Sequence, residues 1–440
     1  FWVILGEVLG VTLAWVLVAR PFKEYTDRYD SITVPDYLED RFRDSAHALR
    51  VLSALIIFSM AAFYTAAQLT ASGKAFESFL GTTYEAGVAI GAAIVLYYTT
   101  VGGFKAVAYS DLLQGVLMVA CLLVLPIVGF VAAGGWGEVT AALAVADPAL
   151  LEPMGGMGLS LAGVASALGF VGIGFAFLGS PQLLTRFISG RGQDEITDAS
   201  LIAVLCVIVF DVGAIFTGMA GRVLFPGLGD PETIYPVMGT ELFPAVFTGI
   251  FLVVVLAAIM STVDSLLILA SSAVVRDVIQ QIFDPPWTER TFSRWGKATT
   301  VVIGAAALGL ALPEVRVIFW FVLFAWSGLA CAFTPVVLCS LFWKGTTRAG
   351  AIAGMVGGFT GAVGWVLLFK ERFWDLYEMI PGFAVGFLAT VIVSLLTRPP
   401  DGAAEELDAV CRAVGRPFRP GTGAVAPGEK PGKAPAPTGD

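Results

Sequence analysis

Charge is scarce in this chain: of 440 residues only 14% are Asp, Glu, Lys or Arg, against about a quarter in an average soluble domain. Histidine is scarcer still. His47 stands alone in a charged stretch, which reads as a surface residue rather than a proton relay. The net charge of −9 includes no basic stripe with interleaved aromatics, so nucleic acid is set aside as a partner. The cysteines, Cys121, Cys206, Cys331, Cys339 and Cys411, lack CxxC spacing, which indicates neither a disulfide framework nor a zinc site. No Gly-rich phosphate loop ending in Gly-Lys-Ser/Thr occurs, and no nucleophile pairs with a base or a metal-ligand cluster. An enzyme and an organic cofactor are therefore not expected.

Apolar sequence is abundant, at 57% of residues. Runs of about 20 residues, enough to cross a bilayer, fall near 1–19, 49–73, 86–101, 109–133, 159–179, 199–220, 243–273, 295–311, 317–343, 349–369 and 376–397. The pattern predicts an all-α polytopic membrane protein with about eleven transmembrane helices. Alternate loops carry the Lys and Arg, among them Arg20, Lys23, Arg41, Lys105, Arg186, Arg191, Arg276 and Lys344, while the intervening loops hold only Lys74, Arg222, Arg316, Lys370 and Arg372. Basic loops stay cytoplasmic, which puts residue 1 outside and the C-terminus inside a plasma (inner) membrane. The chain opens on Phe1, directly inside an apolar helix, so it reads as N-terminally truncated. Residues 1–398 form one transmembrane domain in this reading. Residues 399–440 form a Pro/Gly-rich cytoplasmic tail, largely disordered beyond a helical stretch around Ala403 to Ala413. Between the first two spans, Val34-Pro35-Asp36 is a Pro-primed helix start, predicting a short helix lying at the membrane surface.

The run Phe251 to Ser272 is interrupted at mid-length by Ser261, Thr262, Asp264 and Ser265. An Asp there costs roughly 2.5 to 3.5 kcal/mol on insertion scales, so it is rarely kept without something to bind. On a helix Ala258, Ser261, Thr262 and Ser265 fall at i, i+3, i+4 and i+7, with Asp264 flanking that face. Such a face is a small oxygen-rich cation site. The fifth run carries Gly169, Gly172, Gly174, Gly179 and Pro181, a density of helix breakers that predicts a discontinuous helix lining a cavity; a Gly-rich packing face is the plainer alternative. Two further intramembrane acids, Glu7 and Asp211, are candidates for a cation pathway, although Glu7 is near enough to the outer end to reach water.

Three stretches in order, TVPDYLEDRF (33–42), YTTVGGFKA (98–106) leading into AYSDLLQGVLM, and AAIMSTVDS (257–265), resemble the sodium/solute symporter family, most closely its bacterial sodium/proline members. The resemblance implies a sodium/leucine-transporter-type fold: two inverted five-helix repeats, the first helix of each broken, with the first core helix missing here. It implies a principal sodium site at Ala258, Ser261 and Thr262, and in some relatives a second at positions matched by Asp111, Asp264 and Ser265. The local alternative is that Asp111 caps its helix and Asp264 pairs with a nearby donor. It also implies a solute pocket at Tyr64, Ile173, Phe177 and Pro181. Ile173 and Phe177 stand where the proline-specific members have Trp and Tyr, leaving a more apolar pocket. The expected function is a sodium-coupled symporter importing proline or a related amino acid. The alternatives are a symporter for another small carboxylate or solute, and a transporter-like membrane sensor. The expected partners are a small solute, Na⁺ and the lipid bilayer, with no obligate protein partner.

Overall fold

The computed structural model describes residues 1–313 and 317–414, which are helical almost throughout, with no strand among the described residues. In chain order the helices are α1 (Trp2–Tyr29, π-helical over Ala14–Ala19), α2 (Val34–Phe42), α3 (Ala48–Leu80), α4 (Tyr84–Ala132), α5 (Trp136–Ala146), α6 (Leu161–Gly172) and α7 (Pro181–Ser189). There follow α8 (Gln193–Leu224), α9 (Ile234–Glu241), α10 (Ala245–Ser272), α11 (Glu289–Ala311), α12 (Ile318–Phe342), α13 (Arg348–Leu368), α14 (Met379–Leu396) and α15 (Ala403–Ala413). Several start at hydroxyl caps: Thr33, Thr83, Ser160, Thr288 and Thr347 each accept from the backbone N–H three residues on, which satisfies a donor the helix start would otherwise orphan.

Among the described residues nine helical segments are long and apolar enough to cross a membrane, against the eleven expected spans. Two of those spans share α4, which reverses at Gly103, a residue at φ 64° that L side chains rarely adopt. Across that bend the Tyr98 hydroxyl reaches the Ala106 carbonyl and the Ser110 hydroxyl. The remaining one is α11, whose first turns carry Arg290, Arg294 and Lys297 and are therefore less apolar than a typical span.

The stretch after the first span differs from its sequence reading. Arg20–Tyr29 prolongs α1 instead of looping. The short helix α2 does start at Val34 and Pro35, but it is buried in protein rather than lying on a surface. Its apolar stripe, Val34, Tyr37, Leu38 and Phe42, faces inward. Arg41, counted above as a loop charge, is fully buried with its guanidinium over the Tyr25 ring and Nε donating to the Ser340 carbonyl at 3.2 Å. Arg50 of α3 then fastens α2 to the π-helical continuation of α10 (Ala273–Phe283): it contacts Asp36 at 2.6 Å, Glu39 at 2.7 Å and Asp277 at 3.1 Å. His47 reaches Glu39 at 3.0 Å. The tail helix α15 docks on the same end, where Glu406 accepts from Tyr29 at 2.7 Å and pairs with Arg43 at 2.6 Å. The tail beyond Val414 and the loop residue Arg316 lie outside the described residues.

Removing one partner from a buried ion network leaves the others unpaired, at about 3 to 5 kcal/mol. Arg50→Met is accordingly expected to lower the melting temperature of the detergent-purified protein steeply, and an unchanged melting curve would deny the network its structural role. Burial pushes Glu39 up, but hydrogen bonds from Arg50 and His47 outweigh it and hold its carboxyl below the usual 4.5. A depressed acid stabilises above its unfolded pKa and loses that contribution as pH falls through its folded one. Glu39→Gln should therefore flatten the acid side of the stability profile below about pH 4.5 without altering its slope at higher pH.

Candidate sodium and solute site

The fifth expected span is discontinuous. Helix α6 ends at Gly172, the chain winds as 3₁₀ turns over Ile173–Leu178, opens at Gly179 and Ser180, and restarts as α7 with Pro181 in its first turn. Two close approaches hold this break. A Cβ on Gly10 or Gly174 would run into the facing backbone, so α1 and the 3₁₀ segment pack main chain to main chain, and Gly179 lies against the backbone of Thr334 on α12. The Trp326 indole, also on α12, donates to the Ile173 carbonyl at 3.4 Å. Protein thus supplies what lipid cannot to a non-helical backbone.

Beside the break is a cavity of about 420 Å³. Tyr64, Ile173 and Phe177 line it together with Ser261 and Thr262 of α10, so the residues expected for solute and for sodium open onto one space. Pro181 is buried at the start of α7 and is not one of the lining residues. On α10 the Ser261 and Thr262 hydroxyls both donate to the Ala258 carbonyl at 3.1 Å. Their oxygen lone pairs stay available to a cation, since a hydroxyl donates once and accepts twice. Three oxygens from one helix are a partial shell for a hard cation.

The other expected group sits differently. Asp111 and Ser265 are brought together, each 2.7 Å from the same Arg186 Nη2, and Ser265 donates to Asp264 at 3.5 Å. Asp264 is fully buried and its Oδ2 has no hydrogen-bond partner among the described residues. Arg186 was the residue missed: read from sequence as a loop charge, it stands instead on α7 with its guanidinium over the Phe104 ring. Its signal was available, since it follows Pro181 by five residues on the helix that resumes from the break. A second cavity of about 370 Å³ shares Gln182, Arg186 and Ser265 with the first. Arg186, held by Asp111, therefore borders both spaces.

Glu7 also lines the first cavity, and Asp211 of α8 is the neighbouring acid that bears on it electrostatically. Neither acid was tied to the other by sequence. Trp326, likewise not singled out, sets its ring 5.1 Å from Phe177 and 6.4 Å from Tyr64, closing an aromatic wall.

A model of the sodium:solute symporter family matches residues 1–358. The chain belongs to that family. Among relatives, the high-affinity proline transporter PutP of Bacillus subtilis (strain 168) is 36% identical over 91% of this chain and 85% of its own length. The osmoregulated proline transporter OpuE of the same organism is 32% identical, covering 92% and 82%, and a sodium/proline symporter of Staphylococcus aureus is 34% identical, covering 92% and 81%. A Na⁺-coupled sialic acid symporter solved in a substrate-bound outward-open state superposes with a TM-score of 0.72 over 91% of this chain and 84% of that one, at 17% identity. MhsT in complex with L-phenylalanine gives a TM-score of 0.54 over 89% and 93%, at 14% identity. At those identities the likeness speaks to architecture alone, and the architecture is the sodium/leucine-transporter type that the sequence resemblance implied.

Each hydrogen bond to a charged group contributes about 1.5 to 3 kcal/mol when its partner is left unsatisfied by removal. In this family member Arg186→Met and Asp111→Asn should each lower thermal stability, and the double variant should lose clearly less than the sum. Strictly additive losses in melting experiments on the four proteins would mean that the pair is not coupled.

Proposed function

We propose that the protein is a sodium-coupled secondary active symporter that imports a small organic solute, with proline or a related amino acid as the first candidate. One observation carries this reading beyond family membership: the Ser261 and Thr262 hydroxyls of α10 open onto the same cavity as Ile173 and Phe177 of the broken helix. An ion held by Ala258, Ser261 and Thr262 would tie α10 to the wall opposite and order the solute pocket of Tyr64, Ile173 and Phe177. The two affinities are then reciprocally linked. Asp111, Asp264 and Ser265 form a second cation position in this reading, with Arg186 as its resident positive charge. The protein lies in the plasma (inner) membrane with residue 1 outside and the C-terminus in the cytoplasm, which the distribution of Lys and Arg supports.

The membrane potential contributes about 2.3 kcal/mol per charge per 100 mV, so one Na⁺ entering with a neutral zwitterion supports roughly 50-fold accumulation at 100 mV without nucleotide hydrolysis. Replacement of the Trp and Tyr of the proline-specific pattern by Ile173 and Phe177 leaves fewer polar contacts for the solute, and proline is expected to bind less tightly than in the relatives. Uptake of labelled proline into proteoliposomes, with and without an inward sodium gradient and with other amino acids and carboxylates as competitors, tests the reading. Accumulation that requires sodium supports it, sodium-dependent uptake of a competitor replaces the solute, and no gradient-driven accumulation of any of them would contradict symport. Thr262→Ala should raise the sodium concentration for half-maximal uptake several-fold, and an unchanged sodium dependence would remove Thr262 from the site.

A further inference from the structure

The charged groups on the wall of the first cavity are Glu7 and Arg186. Arg186 is committed, through Nη2, to Asp111 and Ser265. Glu7 has no Lys or Arg partner among the described residues; what meets it is a second acid, Asp211, whose Oδ2 is buried without a hydrogen-bond partner. Neighbouring carboxyls favour a shared proton or a cation beside them, and Glu7 lines the cavity. Bare Na⁺ is served by the hydroxyls of α10, as a hard ion that prefers oxygen shells. The remaining walls near Glu7 suit a different cation. Tyr64, Phe177 and Trp326 line the same cavity, and aromatic rings stabilise an organic ammonium by about 0.5 to 2 kcal/mol per well-placed ring.

We infer that Glu7, backed by Asp211, receives the ammonium group of the solute, with Tyr64, Phe177 and Trp326 around its carbon skeleton. The inference rests on the symport reading for the identity of the pocket and adds the chemical class that the pocket selects: a solute carrying a protonated amine, so that an amine is essential for binding and a carboxylate is not.

The test uses the intact purified protein in saturating sodium, with affinities read from ligand-induced thermal stabilisation. Three probes share one ring size: proline, pyrrolidine, which keeps the amine and lacks the carboxylate, and tetrahydrofuran-2-carboxylate, which keeps the carboxylate and has oxygen in place of the amine. Pyrrolidine is expected to bind within tenfold of proline and the oxygen analogue at least tenfold more weakly than either. Glu7→Gln, or Asp211→Asn should that variant fail to fold, is expected to weaken pyrrolidine at least tenfold. Equal binding of the oxygen analogue, binding of neither ring compound, or a pyrrolidine affinity indifferent to the acids would overturn the inference. Sodium-driven proline accumulation on the same preparation separates the two claims. Its failure with pyrrolidine binding intact would sink symport alone, and its success without discrimination between the analogues would sink the ammonium site alone.

Discussion

A backbone that leaves the helix inside a membrane has to be satisfied by protein, because hydrocarbon offers its amides and carbonyls no partner. The rest of the structure is arranged around that requirement at residues 173–180. Glycines on α1 and in the 3₁₀ segment let two main chains touch, Gly179 lets α12 approach the opening, and Trp326 answers the Ile173 carbonyl. Side chains larger than hydrogen at Gly10 or Gly174 would push α1 off the break. The cavity lies beside the point where the helix stops, and its aromatic wall combines Tyr64 of α3, Phe177 of the break and Trp326 of α12, the helix whose Thr334 backs Gly179.

Electrostatics obeys the same economy of surroundings. Charges inside the bundle come mostly as opposite pairs: Arg50 with Asp36, Glu39 and Asp277; Arg186 with Asp111; Lys370 with Glu378 at 2.8 Å. Arg50–Asp277 and Arg186–Asp111 join segments distant in sequence, and in each pair the desolvation of one member is tolerated because the other is there. Glu7 and Asp211 depart from the pattern, two neighbouring acids with no base beside them among the described residues, and Glu7 lines the cavity onto which Ser261 and Thr262 open. Under the proposed symport, selection of the solute would fall to Glu7 and the rings and retention of the ion to the hydroxyls of Ser261 and Thr262, all of which line one cavity. Asp264 is fully buried with one oxygen unpartnered, and its other oxygen accepts from Ser265, which lines both cavities.

Much of this was legible in the sequence, for local reasons. Helices of apolar residues announce themselves by length, the break by its glycines and Pro181, and the polar stripe of α10 by Ser261, Thr262 and Ser265 at i+3, i+4 and i+7 from Ala258. What could not be read were contacts across the bundle. Arg186 meets Asp111 from 75 residues away, and no local pattern marks that choice. Glu7 and Asp211 were each flagged as intramembrane acids, but their meeting depends on how α1 crosses α8. The burial of α2 was misjudged because its charges suggested water, whereas Arg41 lies over Tyr25 and Asp36 is claimed by Arg50.

The central claim is that ion and solute occupy one space and stabilise each other there. Its most direct test is the affinity of the intact protein for proline across a series of sodium concentrations, with potassium keeping ionic strength constant, alongside the affinity for sodium with and without proline. The account predicts that each ligand tightens the other by the same factor. A proline affinity that is measurable and does not change with sodium would contradict it.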